Sequence, residues 1–159
     1  MVKKKVLQLK PFVETLLPAK VDDILEFDEL WSFVFSKLNR VWIWIALCRR
    51  TKQVVAFHFG NRDTKTFDEF YLKIPISYAN CLSRSDGLKA YKKITAYGHK
   101  MYKKKKGETN QVEAFNTVLR QRLSRLVRKT CAFSKSFEMH ETVIRCFIQN
   151  YNESIYQSN

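Results

Sequence analysis

The sequence lacks the cysteine and histidine patterns that hold small secreted domains together or bind zinc. None of the cysteines forms a Cys-x-x-Cys pair, and they lie far apart in the chain: Cys48, Cys81, Cys131 and Cys146. The histidines have no metal-ligand spacing and complete no Cys-His or Ser-His-Asp set: His58, His99 and His140. We therefore expect reduced thiols rather than a disulfide framework.

A long hydrophobic run is also absent. The longest such run, residues 41–48, is far too short to span a bilayer. Residues 1–10 are basic but precede no long apolar stretch, so no signal peptide is expected. With 159 residues, 45% of them hydrophobic, the chain is long enough for one domain with a full core. The expected protein is soluble and intracellular, with no membrane partner.

Acidic residues are scarce relative to basic ones. The chain has 15 Asp and Glu against 29 Lys and Arg, a formal net charge of +14. Such an excess predicts a polyanionic partner, with phosphate contacts dominating the affinity. Charge alone does not separate an enzyme from a passive DNA- or RNA-binding protein.

The hydrophobic pattern predicts a three-stranded antiparallel meander in the first half of the chain. Strands are predicted where aromatic and branched residues cluster: residues 24–34, 41–47 and 53–59. The polar residues between them, 37–40 and 49–52, are predicted as turns. Residues 1–20 show no clear period and are interpreted as a basic arm or linker.

The spacing of the apolar residues changes after residue 60, and the pattern in the rest of the chain predicts alternating helices and strands. Helices are predicted at residues 66–72, around 90–91, at 110–129 and at 138–151. Two more strands are predicted at residues 78–85 and 99–103. The lysine run 103–106 is predicted as the exit from the second of these strands. The order β-β-β-α-β-α-β-α-α predicts an α/β fold in which a mixed five-stranded sheet carries helices on both faces.

Asp28 is the first candidate for chemistry, because it lies within an otherwise apolar strand. A buried carboxylate is costly unless it is paired or bound to a metal. The alternative is an acid on the solvent face of an edge strand. Strand alternation puts Glu26 on the same face as Asp28 and points Glu29 the other way, which makes Glu29 the weaker candidate for a ligand.

Two further acids follow at the ends of predicted elements. Asp86 lies at the carboxyl end of a strand, where ligands bind in α/β sheets, although an ordinary Asp-Gly turn is the alternative. Glu113 lies in the first turn of the long basic helix, where the helix dipole by itself favours an acid.

The long helix is otherwise basic and is a candidate DNA-binding element. Glu113, Asn116 and Arg120 lie on one face at three- and four-residue spacing. A lone acid beside arginines suits a site that holds metal while its neighbours grip phosphate. The alternative for the cations is a solvated face. The DNA-binding candidates are Asn116, Arg120, Arg125, Arg128 and Lys129.

Taken together, these segments resemble the catalytic part of the insertion-sequence-one family of bacterial transposases. The resemblance covers residues 21–152. The strongest match is Leu-Arg-Gln-Arg-Leu-Ser-Arg-Leu-Val-Arg-Lys-Thr (119–130) with Phe-Ser-Lys-Ser (133–136). It extends to Asp-Glu-Leu-Trp-Ser-Phe-Val (28–34), Trp-Ile-Trp-Ile-Ala-Leu-Cys-Arg (42–49), Ser-Asp-Gly-Leu-Lys-Ala-Tyr (85–91) and Thr-Asn-Gln-Val-Glu (109–113).

The resemblance implies a ribonuclease-H-like catalytic domain at residues 21–152, with 153–159 as a C-terminal tail. It implies metal-dependent DNA cleavage and strand transfer by Asp28, Asp86 and Glu113, which would hold two Mg²⁺ ions, for which Mn²⁺ can substitute. The implied partners are DNA (element ends and target), further copies of the chain on that DNA, and an upstream zinc-finger and helix-turn-helix product or fusion. The implied location is the bacterial cytoplasm, at the nucleoid.

The chain differs from the usual family pattern at Phe35, Leu88, Gln111 and Ala114, where the family often has glycine, an aromatic residue, histidine and arginine. The rival interpretation is therefore a non-catalytic or degenerate nucleic-acid-binding product that inhibits transposition. A pure binder needs the arginines but not three converging acids, so the placement of the acids discriminates between the two.

Overall fold

A computed structural model describes residues 10–94, 98–102 and 107–158. The strands are β1 (Ile24–Val34), β2 (Ser36–Cys48), β3 (Val54–Gly60), β4 (Leu82–Ser85) and β5 (His99–Met101). The helices are α1 (Thr64–Tyr71), α2 (Asn110–Arg122) and α3 (Phe137–Gln157), with short 3₁₀ segments at Phe12–Thr15, Ile76–Tyr78, Lys89–Lys93 and Ser124–Leu126. None of the described helices is long and apolar enough to cross a membrane.

The five strands form one mixed sheet in the order β3-β2-β1-β4-β5. The pairs β1–β2 and β2–β3 are antiparallel, whereas β1–β4 and β4–β5 are parallel. This arrangement confirms the predicted fold class, a mixed five-stranded sheet of the ribonuclease-H-like type.

Helices cover both faces of the sheet, as predicted. On one face, α2 and α3 bury Val112, Phe115, Leu119, Ile144 and Ile148 against the sheet. On the other face, α1 and the segments around Tyr78 and Tyr91 pack on a core that contains Phe27 and the fully buried Trp44. Strand side chains alternate between these two layers, so neighbouring residues of β1 face different helices.

The first predicted turn, residues 37–40, is wrong. The chain turns at Phe35, which has a φ of 62° and whose backbone N–H donates to Ser134 O at 2.8 Å. The strand β2 therefore begins at Ser36, and residues 36–40 are exposed. Exposure on both faces removes the apolar pattern that a strand otherwise shows, so these residues resembled a turn.

Two more predicted strands are shorter than expected. Residues 76–78 form a 3₁₀ turn directly after Pro75, so β4 begins only at Leu82. The last strand, β5, ends at Met101, and its predicted exit at residues 103–106 lies outside the described residues.

The predicted long helix is also wrong beyond residue 122. The chain becomes extended at Leu123 (φ −114°, ψ 99°), and a 3₁₀ turn at Ser124–Leu126 follows. Leu126 is buried in the core beside α2, and reaching that position requires the break. Arg125, Arg128 and Lys129 therefore do not lie on the helix that carries Glu113.

Two described segments near the chain ends, residues 10–20 and 152–157, pack more closely than the sequence indicated. The last helix runs to Gln157, beyond the predicted end at residue 151, and includes residues 153–157 of the predicted tail. In the predicted N-terminal arm, Thr15 is buried and its carbonyl accepts a hydrogen bond from Gln53 Nε2 at 2.7 Å.

Candidate active site

The strand register brings Asp28 and Asp86 together. In the parallel pair β1–β4, Phe27 lies beside Ser85, so the next residues along each strand are Asp28 and Asp86. Carboxylate oxygens of Asp28, Asp86 and Glu29 all lie within 4.8 Å of one another. Two of the three predicted acids, 58 positions apart in the chain, are thus neighbours in the fold.

An open cavity of about 370 Å³ surrounds these acids. Glu113 lines the same cavity, as do three arginines: Arg62, Arg120 and Arg128. The cavity therefore combines a cluster of carboxylates with cationic walls, which is an arrangement suited to a phosphodiester.

Glu113 faces the cavity but stands outside the tight group of oxygens. Its side chain is exposed, and its Oε1 accepts a hydrogen bond from Thr109 Oγ1 at 2.8 Å. The structure thus places the third predicted acid at the same site, turned toward the start of its own helix.

Glu29 joins the cluster, although alternation made it the weaker candidate for a ligand. Its side chain leaves β1 on the α1 side, where Tyr91 Oη donates to its Oε2 at 2.9 Å, and yet a carboxylate oxygen lies within 4.8 Å of those of Asp28 and Asp86. Its Oε1 accepts from Arg62 Nε at 2.7 Å and also from Arg62 Nη2. Both oxygens therefore already have protein partners, which strand alternation alone did not reveal.

Asn116 lies against Asp28 rather than at an exposed DNA-facing position. Its Nδ2 donates to Asp28 Oδ2 at 2.8 Å, and the residue is 7% exposed. Its Oδ1 is buried without a hydrogen-bond partner among the described residues. An acceptor without a partner beside a carboxylate is unusual in a folded protein.

Glu26 attaches the helix α2 to β1, next to Asp28. Its Oε2 accepts from the backbone N–H groups of Gln111 (2.8 Å) and Val112 (3.0 Å), and its Oε1 accepts from Arg49 Nε at 2.6 Å. Since Thr109, the residue before the helix, makes no side-chain cap, Glu26 supplies the negative charge that a helix N-terminus favours. The predicted shared face of Glu26 and Asp28 is thus correct, and it serves to position Glu113 and Asn116.

Burial and mutual repulsion perturb the acids. Burial, followed by the charges of Glu29, Asp86 and Glu113, raises the pKa of Asp28 to about 7. Burial also raises the pKa of Glu29, against the opposing effect of Arg62 and Tyr91. Acids that repel one another in this way are stabilised in the charged form by a bound cation.

The predicted DNA-binding cations occupy three kinds of position. Arg120 is half-buried and donates to Leu126 O (2.6 Å) and Trp31 O (3.1 Å), and burial lowers its pKa. Arg125 donates to Ser134 Oγ at 3.1 Å. Arg128, on the cavity wall, and Lys129 are exposed.

A buried histidine anchors the segment that follows α2. His140 Nε2 is 2.9 Å from Ser32 Oγ, and its Nδ1 is 2.7 Å from Ser134 Oγ. Burial, together with the charge of Arg125, lowers the pKa of His140 to about 4, so the imidazole is neutral near pH 7. The sequence contained no signal for this bridge, because its members are far apart in the chain.

The sheet order, with acids in β1 and directly after β4, is that of a ribonuclease-H-like domain. Residues 23–155 match the family described as IS1 transposase, and the chain belongs to this family. It is 38% identical over 133 residues to the insertion element iso-IS1n protein InsB of Shigella dysenteriae, which covers 80% of this chain and 95% of that relative. It is 34% identical over 119 residues to the insertion element IS1 4 protein InsB of Escherichia coli (strain K12), covering 75% and 70% of the two chains. It is also 34% identical over 119 residues to the insertion element IS1 protein InsB of Shigella flexneri, and the match covers 75% of this chain and 88% of that relative.

Proposed function

We propose that this chain cleaves and joins DNA strands for an insertion sequence, with divalent ions held by Asp28, Asp86 and Glu113. The observation that carries the proposal is the convergence of Asp28 and Asp86 in a cavity that Glu113 and three arginines also line. A protein that only binds nucleic acid has no use for a cluster of partly buried acids among cationic side chains.

The residues of the cavity fit Mg²⁺, for which Mn²⁺ can substitute. Hard divalent ions prefer carboxylate and amide oxygens, and the cavity lining supplies the carboxylates of Asp28, Glu29, Asp86 and Glu113 together with the amide group of Asn116. Burial first, and then the charges of Glu29, Asp86 and Glu113, raise the pKa of Asp28, and a cation bound there would favour the charged carboxylate. In two-metal sites, such ions activate the attacking oxygen and stabilise the leaving oxygen.

The chain itself positions the reacting groups. Asn116 holds Asp28, Glu26 holds the helix that carries Glu113, and Arg128 presents a cation at the cavity wall. With the acids acting as ligands, no separate side-chain base is required. The substrates we propose are the element ends and a target duplex, bound by several copies of the chain together with an upstream end-recognising product, at the bacterial nucleoid.

Nicking of supercoiled plasmid tests the proposal. We expect the chain, together with the upstream end-recognising product, to nick a plasmid that carries the element ends in Mg²⁺ or Mn²⁺ and to leave it intact in EDTA. The rival function, a non-catalytic inhibitor that competes for DNA, requires the basic residues only. DNA binding without nicking in either metal would support that rival and contradict the catalytic proposal.

The chain is also expected to bind duplex DNA with strong salt dependence and little sequence preference, because of its +14 charge. Arg128→Gln should lower the slope of log affinity against log salt by about one unit and leave the melting temperature unchanged, since Arg128 is exposed. Arg120→Gln should lower the melting temperature as well, because it removes hydrogen bonds to Leu126 O and Trp31 O.

Arg122→Gln is the matched control for both variants. Arg122 is exposed at the end of α2 and does not line the cavity. Salt titrations by fluorescence anisotropy give the slopes, and thermal melts give the stability. If the Arg128 and Arg122 variants share the parent's slope, the cavity wall does not present Arg128 to DNA.

A further inference from the structure

We propose that Arg62 binds a DNA phosphate at the catalytic cavity, with Glu29, Tyr91 and Trp42 as the residues that position its guanidinium. This inference rests on the proposed function and extends it to a residue outside the predicted set of DNA contacts. It also gives Glu29 a role other than metal ligation.

Arg62 is held in one orientation by three neighbours. Its Nε and Nη2 both donate to Glu29 Oε1, the first at 2.7 Å. Its guanidinium carbon lies 4.8 Å from the centre of the Trp42 ring, a cation–π contact. The fully buried Tyr91 fixes the other oxygen of Glu29 at 2.9 Å. A long, flexible side chain is thereby pre-organised before any ligand arrives.

The guanidinium still has donors to offer. Its Nη1 makes no hydrogen bond within residues 10–94, 98–102 and 107–158, and the Arg62 side chain is 40% exposed. Arg62 and Trp42 line the same cavity as Asp28, Asp86 and Glu113. An arginine whose fork is oriented by one carboxylate, and whose remaining N–H groups face an open site, is suited to bind phosphate oxygens.

The position of Arg62 complements the cations already described. Arg62 follows β3 and precedes α1, which packs on one face of the sheet, whereas Arg120 and Arg128 belong to α2 and the segment after it, on the other face. A phosphodiester above Asp28 and Asp86 therefore meets guanidinium groups from both sides of the acids. Without them, the carboxylates would repel the DNA backbone.

The competing explanation is an ion pair that only stabilises the fold. The chain contains a matched example, the pair of Arg50 and Asp23, with Nε to Oδ1 at 2.6 Å and Nη2 to Oδ2 at 2.8 Å. Asp23 is buried like Glu29, and the Arg50 side chain is 35% exposed. Arg50 does not line the acidic cavity, so Arg50→Gln is the control for a purely structural role.

The first measurement is DNA affinity in EDTA, which excludes both cleavage and metal binding. Arg62→Gln is expected to weaken binding about tenfold to a hundredfold, the range for a lost charge-assisted hydrogen bond, whereas Arg50→Gln is expected to bind as the parent does. Arg62→Lys keeps the positive charge but not the paired N–H groups of the guanidinium. Its DNA affinity should lie between those of the parent and Arg62→Gln. Thermal melts of all variants identify any that fail to fold.

The second measurement locates the contact. Neutral methylphosphonate replaces, one at a time, the phosphates of a duplex that carries an element end. The upstream end-recognising product is included so that one register is fixed, and binding by the parent should drop at the phosphates that the protein contacts. At one of these phosphates, the substitution should cause no further loss of DNA affinity for Arg62→Gln. It should still lower the affinity of Arg50→Gln and Arg62→Lys. If Arg62→Gln and Arg50→Gln bind DNA equally, or if every methylphosphonate costs Arg62→Gln as much as it costs the parent, Arg62 does not bind phosphate. DNA affinity in EDTA does not depend on metal. The proposed role of Arg62 can therefore be wrong while plasmid nicking succeeds, and it can be right while nicking fails.

Discussion

Alanine in place of Asp28 or Asp86 is expected to abolish divalent-dependent strand cleavage while DNA binding persists. The two carboxylates meet where β1 and β4 run side by side, and no other described acid besides Glu29 comes within the same 4.8 Å. Metal ions supply several kcal/mol of transition-state stabilisation, so loss of a ligand should lower the rate by at least about a thousandfold. The plasmid-nicking assay measures this rate in Mg²⁺ and in Mn²⁺.

Asp68→Ala is the matched control for these variants. Asp68 is a half-exposed surface acid of α1 that pairs with Lys93 at 2.7 Å and does not line the cavity. It should nick plasmid at the parent's rate. Nicking that survives Asp86→Ala at a normal rate would remove Asp86 from the site and leave the proposed function without its central observation.

Comparison of Glu113 and Glu29 identifies the third ligand. Glu113 is exposed, and among the described residues its carboxylate is held only by Thr109, so it has freedom to move toward Asp28. Both oxygens of Glu29, by contrast, already have partners. Glu113→Gln is therefore expected to lose nicking in both metals and to keep the parent's DNA affinity in EDTA. Glu29→Gln should lower the affinity in EDTA, because Arg62 loses its charged partner. If Glu29→Gln loses nicking and Glu113→Gln keeps it, the third ligand is Glu29.

Asparagine in place of Asp28 is expected to stabilise the metal-free protein above neutral pH. The pKa of Asp28 is raised from 3.8 to about 7 in the folded protein. Between these values the folded state binds more protons than the unfolded state, so stability falls as the pH rises from about 4 to about 7. A neutral asparagine side chain at this position avoids that loss, which amounts to at most about 4 kcal/mol at pH 8.

Urea unfolding in EDTA at pH 4 and pH 8 measures this effect. The gain from Asp28→Asn should be large at pH 8 and close to zero at pH 4, where Asp28 in the folded parent is already protonated. Asp68→Asn should show no such gain, since Asp68 is half-exposed and paired. An equal change at both pH values would mean that the charge of Asp28 does not strain the fold.

The hydrophobic pattern was sufficient for most of the strands and helices and for the mixed five-stranded sheet. Residues 24–34 are dense in aromatic and branched side chains, and they form β1 with the predicted bounds. Asp28 stood out because it interrupts this pattern, and its shared face with Glu26 followed from alternation alone. The spacing of apolar residues reflects local backbone geometry and burial, and residues that are neighbours in the sequence determine both.

The boundaries of the elements required the tertiary structure. Residues 36–40 extend β2 although all of them are exposed and four of the five are polar, and within this range Ser36 and Arg40 pair with β1. Residues 123–129 leave the helical path although their sequence suits a helix, because Leu126 is buried in the core. In both places, contacts between distant segments outweigh local propensity.

The roles of individual polar residues within the site were decided by the fold alone. Asn116 has the spacing of a helix-face DNA contact, yet it hydrogen-bonds Asp28, 88 positions away. Glu29 and Arg62 carry no shared sequence signal, and they meet because β1 and the β3–α1 loop converge at one cavity. Sequence by itself determined which acids interrupt an apolar pattern and where phosphate-binding charge is concentrated. Only the tertiary structure decided which side chains touch, because hydrogen bonds and ion pairs act over about 3 Å and depend on long-range packing.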